Sequence, residues 1–222
     1  MIALLFSLAL LQQDPAADAP AEAVQTPVSE ETGAAPQAGL DREAALADIN
    51  AYLNGIGTLR ADFVQVAPDG SAATGELAMS RPGRLRFEYD EPTPIRIIAD
   101  GTTVAIEDSA LETVDRGPLR STPLWWLLKE DIDIARDAEL VGMESEFGFL
   151  YVTLRDPGEE MPGEIMFVFA EPSYELREWF VTDAMGEITR VSLNNVETGM
   201  RLNPRLFVIP EAEDRRDSRR NR

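Results

Sequence analysis

The 222-residue chain has 20 basic and 40 acidic residues, a formal net charge of −20, and 44% of its residues are hydrophobic. This length and apolar content suit one domain with a sizeable core, and the negative charge disfavours polyanionic partners such as nucleic acid. Because the chain lacks both cysteine and histidine, it cannot hold a disulfide framework, a Cys or His catalytic system, or a zinc site built from those ligands.

The first residues have the features of a secretion signal. Residues 2–11 are apolar apart from Ser7, and this run is too short to span a bilayer. Ala21-Glu22-Ala23 offers a cleavage site, so we expect a signal peptide at 1–23. An uncleaved anchor stays open as the alternative, because no basic residue precedes Arg42.

Two further segments have the composition of disordered chain. Residues 24–40 are mostly small, polar or proline residues, which predicts a disordered linker. Residues 215–222 contain five Arg and one Asp, and we expect 211–222 to be an Arg-rich disordered tail, either a solvated end or a docking segment. The folded domain is therefore predicted at 41–210.

An amphipathic helix is predicted at the start of this domain. Asp41 can cap it, Glu43 lies in its first turn, and Gly55 and Gly57 end it. Its apolar positions form one stripe that consists of Ala45, Leu46, Ile49 and Leu53.

After this helix the hydrophobic pattern alternates, which indicates strands. Asp100-Gly101 and residues 183–186 suit tight hairpins. Since most strands are joined without a helical crossover, sequence neighbours are expected to pair antiparallel. The strands are predicted at 60–67, 75–80, 84–90, 95–99, 103–107, 112–115, 149–154, 164–169, 176–182, 188–194 and 205–209.

A second helix is predicted at 122–129. Thr122 suits its N-cap and Pro123 its first position. The residues that follow, LWWLL at 124–128, are apolar on every side, so protein or ligand must cover them. Trp125 and Trp126 belong either to an ordinary core helix or to the wall of a binding cavity.

The segment 81–89, RPGRLRFEY, predicts a strand with one solvent-facing (wet) face and one buried (dry) face. Leu85, Phe87 and Tyr89 share the dry face of a strand. By the same alternation Arg81 falls on the dry face, where its guanidinium needs hydrogen-bond acceptors. The alternative is an arginine at the strand entry whose long side chain reaches solvent.

No catalytic motif accompanies these elements. Acidic pairs such as Glu159-Glu160 are expected by chance in so acidic a chain, and nothing specifies two carboxylates that converge in a cleft. The sequence also has no calcium loop, phosphate-binding glycine loop or nucleophile elbow. We therefore expect a protein that is not an enzyme and that uses no cofactor or metal.

Several short motifs occur in a characteristic order across 41–210. They are RADFVQ at 60–65, GEL at 75–77, RPGRLRFEY at 81–89, ADG at 99–101, TPL at 122–124, LL at 127–128 and LFVIP at 206–210, with Trp179, Asp183, Gly186 and Thr189. Together they resemble the periplasmic outer-membrane lipoprotein carriers of the LolA type. The chain departs from that family in its long linker, in its Arg-rich tail and in lacking the Gly that commonly follows the final Pro.

This resemblance implies a mainly β (α+β) fold, an unclosed antiparallel half-barrel covered by a helical lid. The family's Arg before Pro matches Arg81, which would then be a latch bonded to the lid. Lipoprotein acyl chains would lie between sheet and lid, against a set of apolar side chains. The residues expected to line this cavity are Leu46, Ile49, Leu53, Leu85, Phe87, Tyr89, Trp125 and Trp126.

The function that the resemblance implies is a monomeric periplasmic carrier that shuttles lipoproteins toward the outer membrane. Its expected partners are the acylated lipoprotein cargo, an inner-membrane releasing transporter and an outer-membrane acceptor, without nucleic acid. Two alternatives stay open: a related lipid-binding or envelope-stress-sensing module with other lipid cargo, and an unrecognised hydrolase.

Overall fold

The computed structural model describes residues 40–158 and 161–210. The predicted signal peptide, nearly all of the predicted linker and the Arg-rich tail lie outside these residues. Within them, three helices and eleven strands follow one another. The helices are α1 (Arg42–Gly55), α2 (Trp125–Leu128) and α3 (Ile134–Asp137). The strands are β1 (Thr58–Val66), β2 (Ala72–Ser80), β3 (Arg84–Tyr89), β4 (Ile95–Asp100), β5 (Thr103–Asp108), β6 (Thr113–Pro118), β7 (Glu139–Glu146), β8 (Phe149–Arg155), β9 (Glu164–Ala170), β10 (Glu175–Thr182) and β11 (Ile188–Thr198).

All eleven strands form one antiparallel sheet in the order β6-β5-β4-β3-β2-β1-β11-β10-β9-β8-β7. Pairing of β1 with β11 joins two meanders, and β6 and β7 are left as the two edges of the described sheet. The predicted unclosed antiparallel sheet is therefore confirmed.

The sheet is strongly curled. Three strands lie between β3 and β10, so in a flat sheet these two strands would be about 19 Å apart at about 4.8 Å per spacing. Yet Phe87 on β3 and Trp179 on β10 have ring centroids only 6.4 Å apart. The inner faces of the two meanders therefore converge on a single core.

Helix α1 forms where its sequence predicts. The Asp41 side chain caps it by accepting a hydrogen bond from Ala44 N at 3.1 Å. Ala45, Ile49 and Leu53 are buried in the core that the inner face of the sheet also forms. The exposed positions of the helix are mostly polar or alanine. Burial of the apolar stripe against the sheet therefore stabilises the helix.

The C-terminal segment corrects one prediction. Residues 205–209 were expected to form a strand, but Pro204–Phe207 is a 3₁₀ helix whose start is capped by Asn203, which accepts from Arg205 N. This segment crosses the outer face of the sheet, where Arg86 donates to Leu206 O at 3.3 Å. Its apolar residues therefore pack on the outside, with Phe207 buried, instead of pairing in the sheet.

Two further elements differ from expectation. Strand β7 was not predicted, and neither was the short helix α3. Helix α2 is shorter than predicted, and Thr122 does not cap it: the Thr122 hydroxyl donates to Leu119 O at 2.8 Å instead.

Candidate functional site

The inner face of the curled sheet is apolar where the segment 81–89 contributes to it. Leu85, Phe87 and Tyr89 are buried, whereas Arg84 and Glu88 on the opposite face are exposed. Phe63 on β1 packs edge-on against the rings of Phe87 and Tyr89, with centroids 5.0 Å away in each case. The predicted dry face is therefore part of an aromatic wall.

The three helices lie over this wall, and small cavities lie between them and the sheet. A cavity of about 20 Å³ remains between α1, α2 and the sheet, and a second one of about 10 Å³ lies beside Trp126. The larger cavity has only apolar lining residues: Leu53, Ile56, Leu59, Leu77, Met79, Leu85, Leu124, Leu127, Leu176, Trp179 and Leu193. Such a volume holds about one water molecule, so neither of these two cavities has room for a larger ligand in this closed form.

The predicted cavity residues occupy several positions around this interior. Leu53 and Leu85 line the larger cavity, and Trp126 lines the smaller one. Ile49 is fully buried, Leu46 is half-buried against the core, and Phe87 and Tyr89 form the aromatic wall beside it. Trp125 is half-buried, with the guanidinium of Arg120 5.1 Å from its ring centroid.

Much of the cavity lining was missing from the predicted set. Leu59, Leu77, Met79, Trp179 and Leu193 come from strands β1, β2, β10 and β11. Alternation within those strands identifies residues that face inward. Without the sheet order, however, it does not tell which of them meet the helices.

Arg81 joins the two helical segments to the β2–β3 turn. Among the described residues, the acceptors of its guanidinium are all neutral. They are Leu53 O and Ile56 O (the latter 3.4 Å from Nη1), Asn54 Oδ1 (3.2 Å from Nη2), Lys129 O (2.8 Å from Nε and 2.6 Å from Nη2) and Glu130 O (3.1 Å from Nη2). These carbonyls lie at the C-terminal ends of α1 and α2, where unpaired carbonyls carry partial negative charge. One cation therefore binds the ends of two helices at once.

Burial lowers the pKa of Arg81, while the charge of Asp131 acts in the opposite direction. An arginine nevertheless stays protonated at neutral pH. Backbone contacts hold the same turn, because Arg81 N donates to Gly57 O at 2.8 Å and Gly83 N donates to Leu128 O at 2.8 Å.

Asparagines on α1 bind the segment that precedes α3. Asn54 donates to Ile132 O at 2.8 Å and accepts from Ile132 N at 3.0 Å. One turn earlier, Asn50 accepts from Ile134 N at 3.1 Å. Helix α1 is therefore linked by polar groups to the segment between α2 and α3 and to the start of α3, while Ala45, Ile49 and Leu53 make its buried contact with the sheet.

Asp137 adds an ionic link within this helical layer. It pairs with Lys129 Nζ at 2.5 Å and with Arg136 Nε at 3.0 Å. Burial alone would raise the pKa of Asp137, but the hydrogen bonds from Arg136 and Lys129 lower it to about 2. The carboxylate therefore stays ionised at neutral pH, and the pair with Lys129 persists there.

Two polar groups lie within the apolar wall. The Tyr89 hydroxyl donates to Gln65 Oε1 at 2.6 Å, and burial raises the pKa of Tyr89. Trp179 Nε1 is buried and has no hydrogen-bond acceptor among the described residues. The first group is satisfied within the protein, whereas the second is an available donor.

The chain is similar in sequence to a known protein family. A family profile described as "Outer membrane lipoprotein carrier protein LolA" matches residues 54–210. The chain belongs to the LolA family. The match to LolA begins in the last turn of α1 and takes in the whole sheet.

Curated relatives of this LolA family member are named as outer-membrane lipoprotein carrier proteins. One from Methylococcus capsulatus is 29% identical over 168 residues, covering 72% of this chain and 80% of that protein. Another from Chromobacterium violaceum is 30% identical over 190 residues, covering 80% of this chain and 90% of that protein. A solved LolA superfamily protein of Nitrosomonas europaea has a TM-score of 0.44 at 10% identity, covering 74% of this chain and 97% of that one.

The described part of this family member has no cluster of three or more acidic residues placed to hold a metal ion. Its helices are also too short or too polar to cross a membrane.

Proposed function

We propose that this protein is a periplasmic carrier that binds the acyl chains of lipoproteins and shuttles them toward the outer membrane. The observation that carries the proposal is an apolar interior, enclosed by a curled sheet and three helices, whose helical side is fastened by Arg81. Membership of the LolA family supports the lipoprotein-carrier role.

In this proposal the helices act as a lid. The cavity of about 20 Å³ cannot admit an acyl chain, so in this proposal α1 and α2 separate from the sheet before cargo enters there. Acyl chains would then pack against the apolar side chains that opening uncovers, because each buried methylene contributes about 0.8 kcal/mol. On loading, the apolar face of the sheet therefore exchanges its contacts with the helices for contacts with acyl chains.

Fastening of the lid is polar and lies at one end of the sheet. The β2–β3 turn holds the ends of both helices through Arg81 and Gly83. Hydrogen bonds at this end can be replaced by water when the lid moves, so the latch can open while the sheet stays intact. Partners consistent with this cycle are an inner-membrane transporter that loads the carrier and an outer-membrane acceptor that unloads it.

The first prediction tests the carrier function directly. We expect purified protein to bind an N-terminal peptide of a lipoprotein carrying diacylglyceryl-cysteine in a saturable, one-to-one manner, because only the acyl chains can fill the interior. Displacement of a bound apolar dye measures the affinity, and the same peptide without acyl chains is the control. Equal displacement by the two peptides would contradict the proposal.

Trp179 gives the cavity a chemical preference. A buried N–H without an acceptor costs about 1–3 kcal/mol, and an ester or amide carbonyl of the cargo would supply the acceptor. The indole ring also lines the larger cavity, as Leu85 and Leu127 do, but the surface of this cavity is wholly apolar, so Nε1 would reach cargo only after the lid opens. We therefore propose that Trp179 donates a hydrogen bond to the first carbonyl of an acyl chain.

The second prediction follows from this donor. We expect the protein to bind an ester-linked diacyl lipid roughly fivefold to tenfold more tightly than the ether-linked dialkyl analogue, which has no carbonyl. The Trp179→Phe substitution removes the N–H, so the variant protein should bind the ester-linked and the ether-linked lipid equally. Trp126→Phe is the matched control and should keep the preference for the ester. An unchanged preference in Trp179→Phe would show that the donor serves another purpose.

A further inference from the structure

The tip of the β7–β8 hairpin exposes an aromatic ring to solvent. Phe147 is 87% exposed, the highest value among the large apolar side chains of the described residues, and Phe149 beside it is 37% exposed. An isolated exposed apolar residue is common on protein surfaces and needs no explanation. Phe147 differs from that ordinary case in its backbone.

The turn itself is unfavourable for phenylalanine. Glu146 pairs with Phe149, so the loop contains only two residues, and both have positive φ: 51° at Phe147 and 80° at Gly148. This is a type I′ turn, whose first position favours asparagine, aspartate or glycine. A bulky residue in the left-handed region is rare and is held there at an energetic cost. Phe147 therefore has both an unfavourable backbone conformation and an unfavourably exposed apolar side chain.

The neighbouring turn braces the tip. Glu171 N donates to Gly148 O at 2.8 Å, and the Ser145 hydroxyl donates to Glu171 Oε2 at 2.7 Å. A braced tip loses little conformational entropy when it binds a partner. The turn that carries Phe147 is therefore held in place by hydrogen bonds.

The surroundings of the ring are acidic. Residues 144–149 and 171–174 include Glu144, Glu146 and Glu171 but no lysine or arginine. These charges, on a chain with a net charge of −20, repel an anionic bilayer and also repel the same tip of a second copy. A basic protein surface is the complementary partner.

We propose that the β7–β8 tip docks into a partner protein through Phe147, which fills an apolar pocket rimmed by basic side chains. Aromatic anchors of this kind dominate the binding energy of many interfaces. Because the strands alternate in direction along the sheet, this tip lies at the same end as the β2–β3 turn that carries Arg81. A partner bound there approaches the end at which the helices are fastened. The proposal does not depend on what the interior binds.

The variant Phe147→Asn tests the surface without risk to folding. It places Asn-Gly in a type I′ turn, so the melting temperature should stay the same or rise. Leu111→Asn is the matched control, because Leu111 is 72% exposed at the β5–β6 tip, at the opposite end of the sheet.

The partner itself is captured by a photoreactive benzoylphenylalanine at position 147, irradiated in producing cells, with the same group at position 111 as control. We expect a discrete protein adduct at position 147 alone, joined through a peptide that carries lysine or arginine. The purified partner should bind Phe147→Asn about tenfold or more weakly than the unchanged chain and the Leu111→Asn control. Raising the salt concentration should weaken binding of the unchanged chain.

Four results would overturn the proposal. They are adducts with lipid or with a second copy of the chain, equal adduct yields at the two positions, unchanged partner affinity of Phe147→Asn, and binding to phosphatidylethanolamine–phosphatidylglycerol vesicles that depends on Phe147. None of them bears on the binding of acylated peptide in the interior, so this surface and the carrier function fail or stand separately.

Discussion

Arg81→Leu is expected to hold acylated peptide more tightly than the unchanged protein and to fail in passing it to an acceptor. The substitution removes the hydrogen bonds that fasten α1 and α2 in the closed form. A loss of about 2 kcal/mol of closed-state preference raises the apparent affinity for cargo roughly 30-fold, because less of the binding energy goes into opening the lid. Release then lacks the closed empty state that normally competes with cargo.

Two measurements separate retention from handover. Dye displacement gives the affinity for diacylated peptide, and transfer of a loaded lipoprotein to acceptor-containing membranes gives the rate of release. Arg84→Leu is the matched control, since it removes an exposed arginine from the outer face of β3. Arg81→Lys keeps the charge, but its single ammonium group cannot bind both helix ends at once. Its affinity and transfer rate should therefore lie between those of Arg81→Leu and Arg84→Leu. Unchanged transfer by Arg81→Leu would refute the latch.

The sequence could predict those parts of the fold that local pattern determines. Clean alternation in 84–90 located β3 and its buried face, and the stripe in α1 located the helix face that meets the core. Arg81 was predicted to need acceptors on the dry side, and its guanidinium has them. What the sequence could not supply was their identity, because they are carbonyls at helix ends that are distant in the chain.

Elements without a strong local pattern were missed or misassigned. Strand β7 buries only Met143 and lies at the edge of the sheet, so its sequence has no regular alternation to detect. Residues 206–209 are continuously apolar, which is equally compatible with a strand and with a segment packed on the outer face. The choice between these depends on tertiary contacts such as the hydrogen bond from Arg86 to Leu206 O.

The residues that line the cavity are even harder to predict from the sequence, because the tertiary structure brings them together. Trp179 belongs to the motifs that resemble the LolA family, yet its position against Phe87 follows only from the curl of the sheet. The same curl brings Leu77 of β2 and Leu193 of β11 to one cavity. Single-strand alternation thus predicts which residues face inward, and the sheet order decides which of them meet.

The aromatic wall also depends on a glycine, and replacing it should destabilise the protein strongly. A Cβ added at Gly75 would lie 2.1 Å from Glu88 O and 2.8 Å from both Phe63 Cε1 and Tyr89 Cα. The ring of Phe63 therefore covers Gly75, and strands β2 and β3 are paired at this residue. Ala at this position must push the two strands apart or displace the Phe63 ring from the wall.

Gly75→Ala should lower the free energy of unfolding by about 3 kcal/mol or more, since overpacking against backbone cannot be relieved by a side-chain rotation. Urea denaturation followed by tryptophan fluorescence measures it. Gly142→Ala is the matched control, because this strand glycine has no neighbour closer than 3.9 Å to the added Cβ, and its stability should change by less than about 0.5 kcal/mol. If both variants unfold at the same urea concentration, the β2–β3 pair is not packed against Phe63 as described. If only Gly75→Ala is destabilised, the aromatic wall beneath the helices depends on a residue without a side chain at position 75, where Glu88 O and the Phe63 ring both approach the β2 backbone closely.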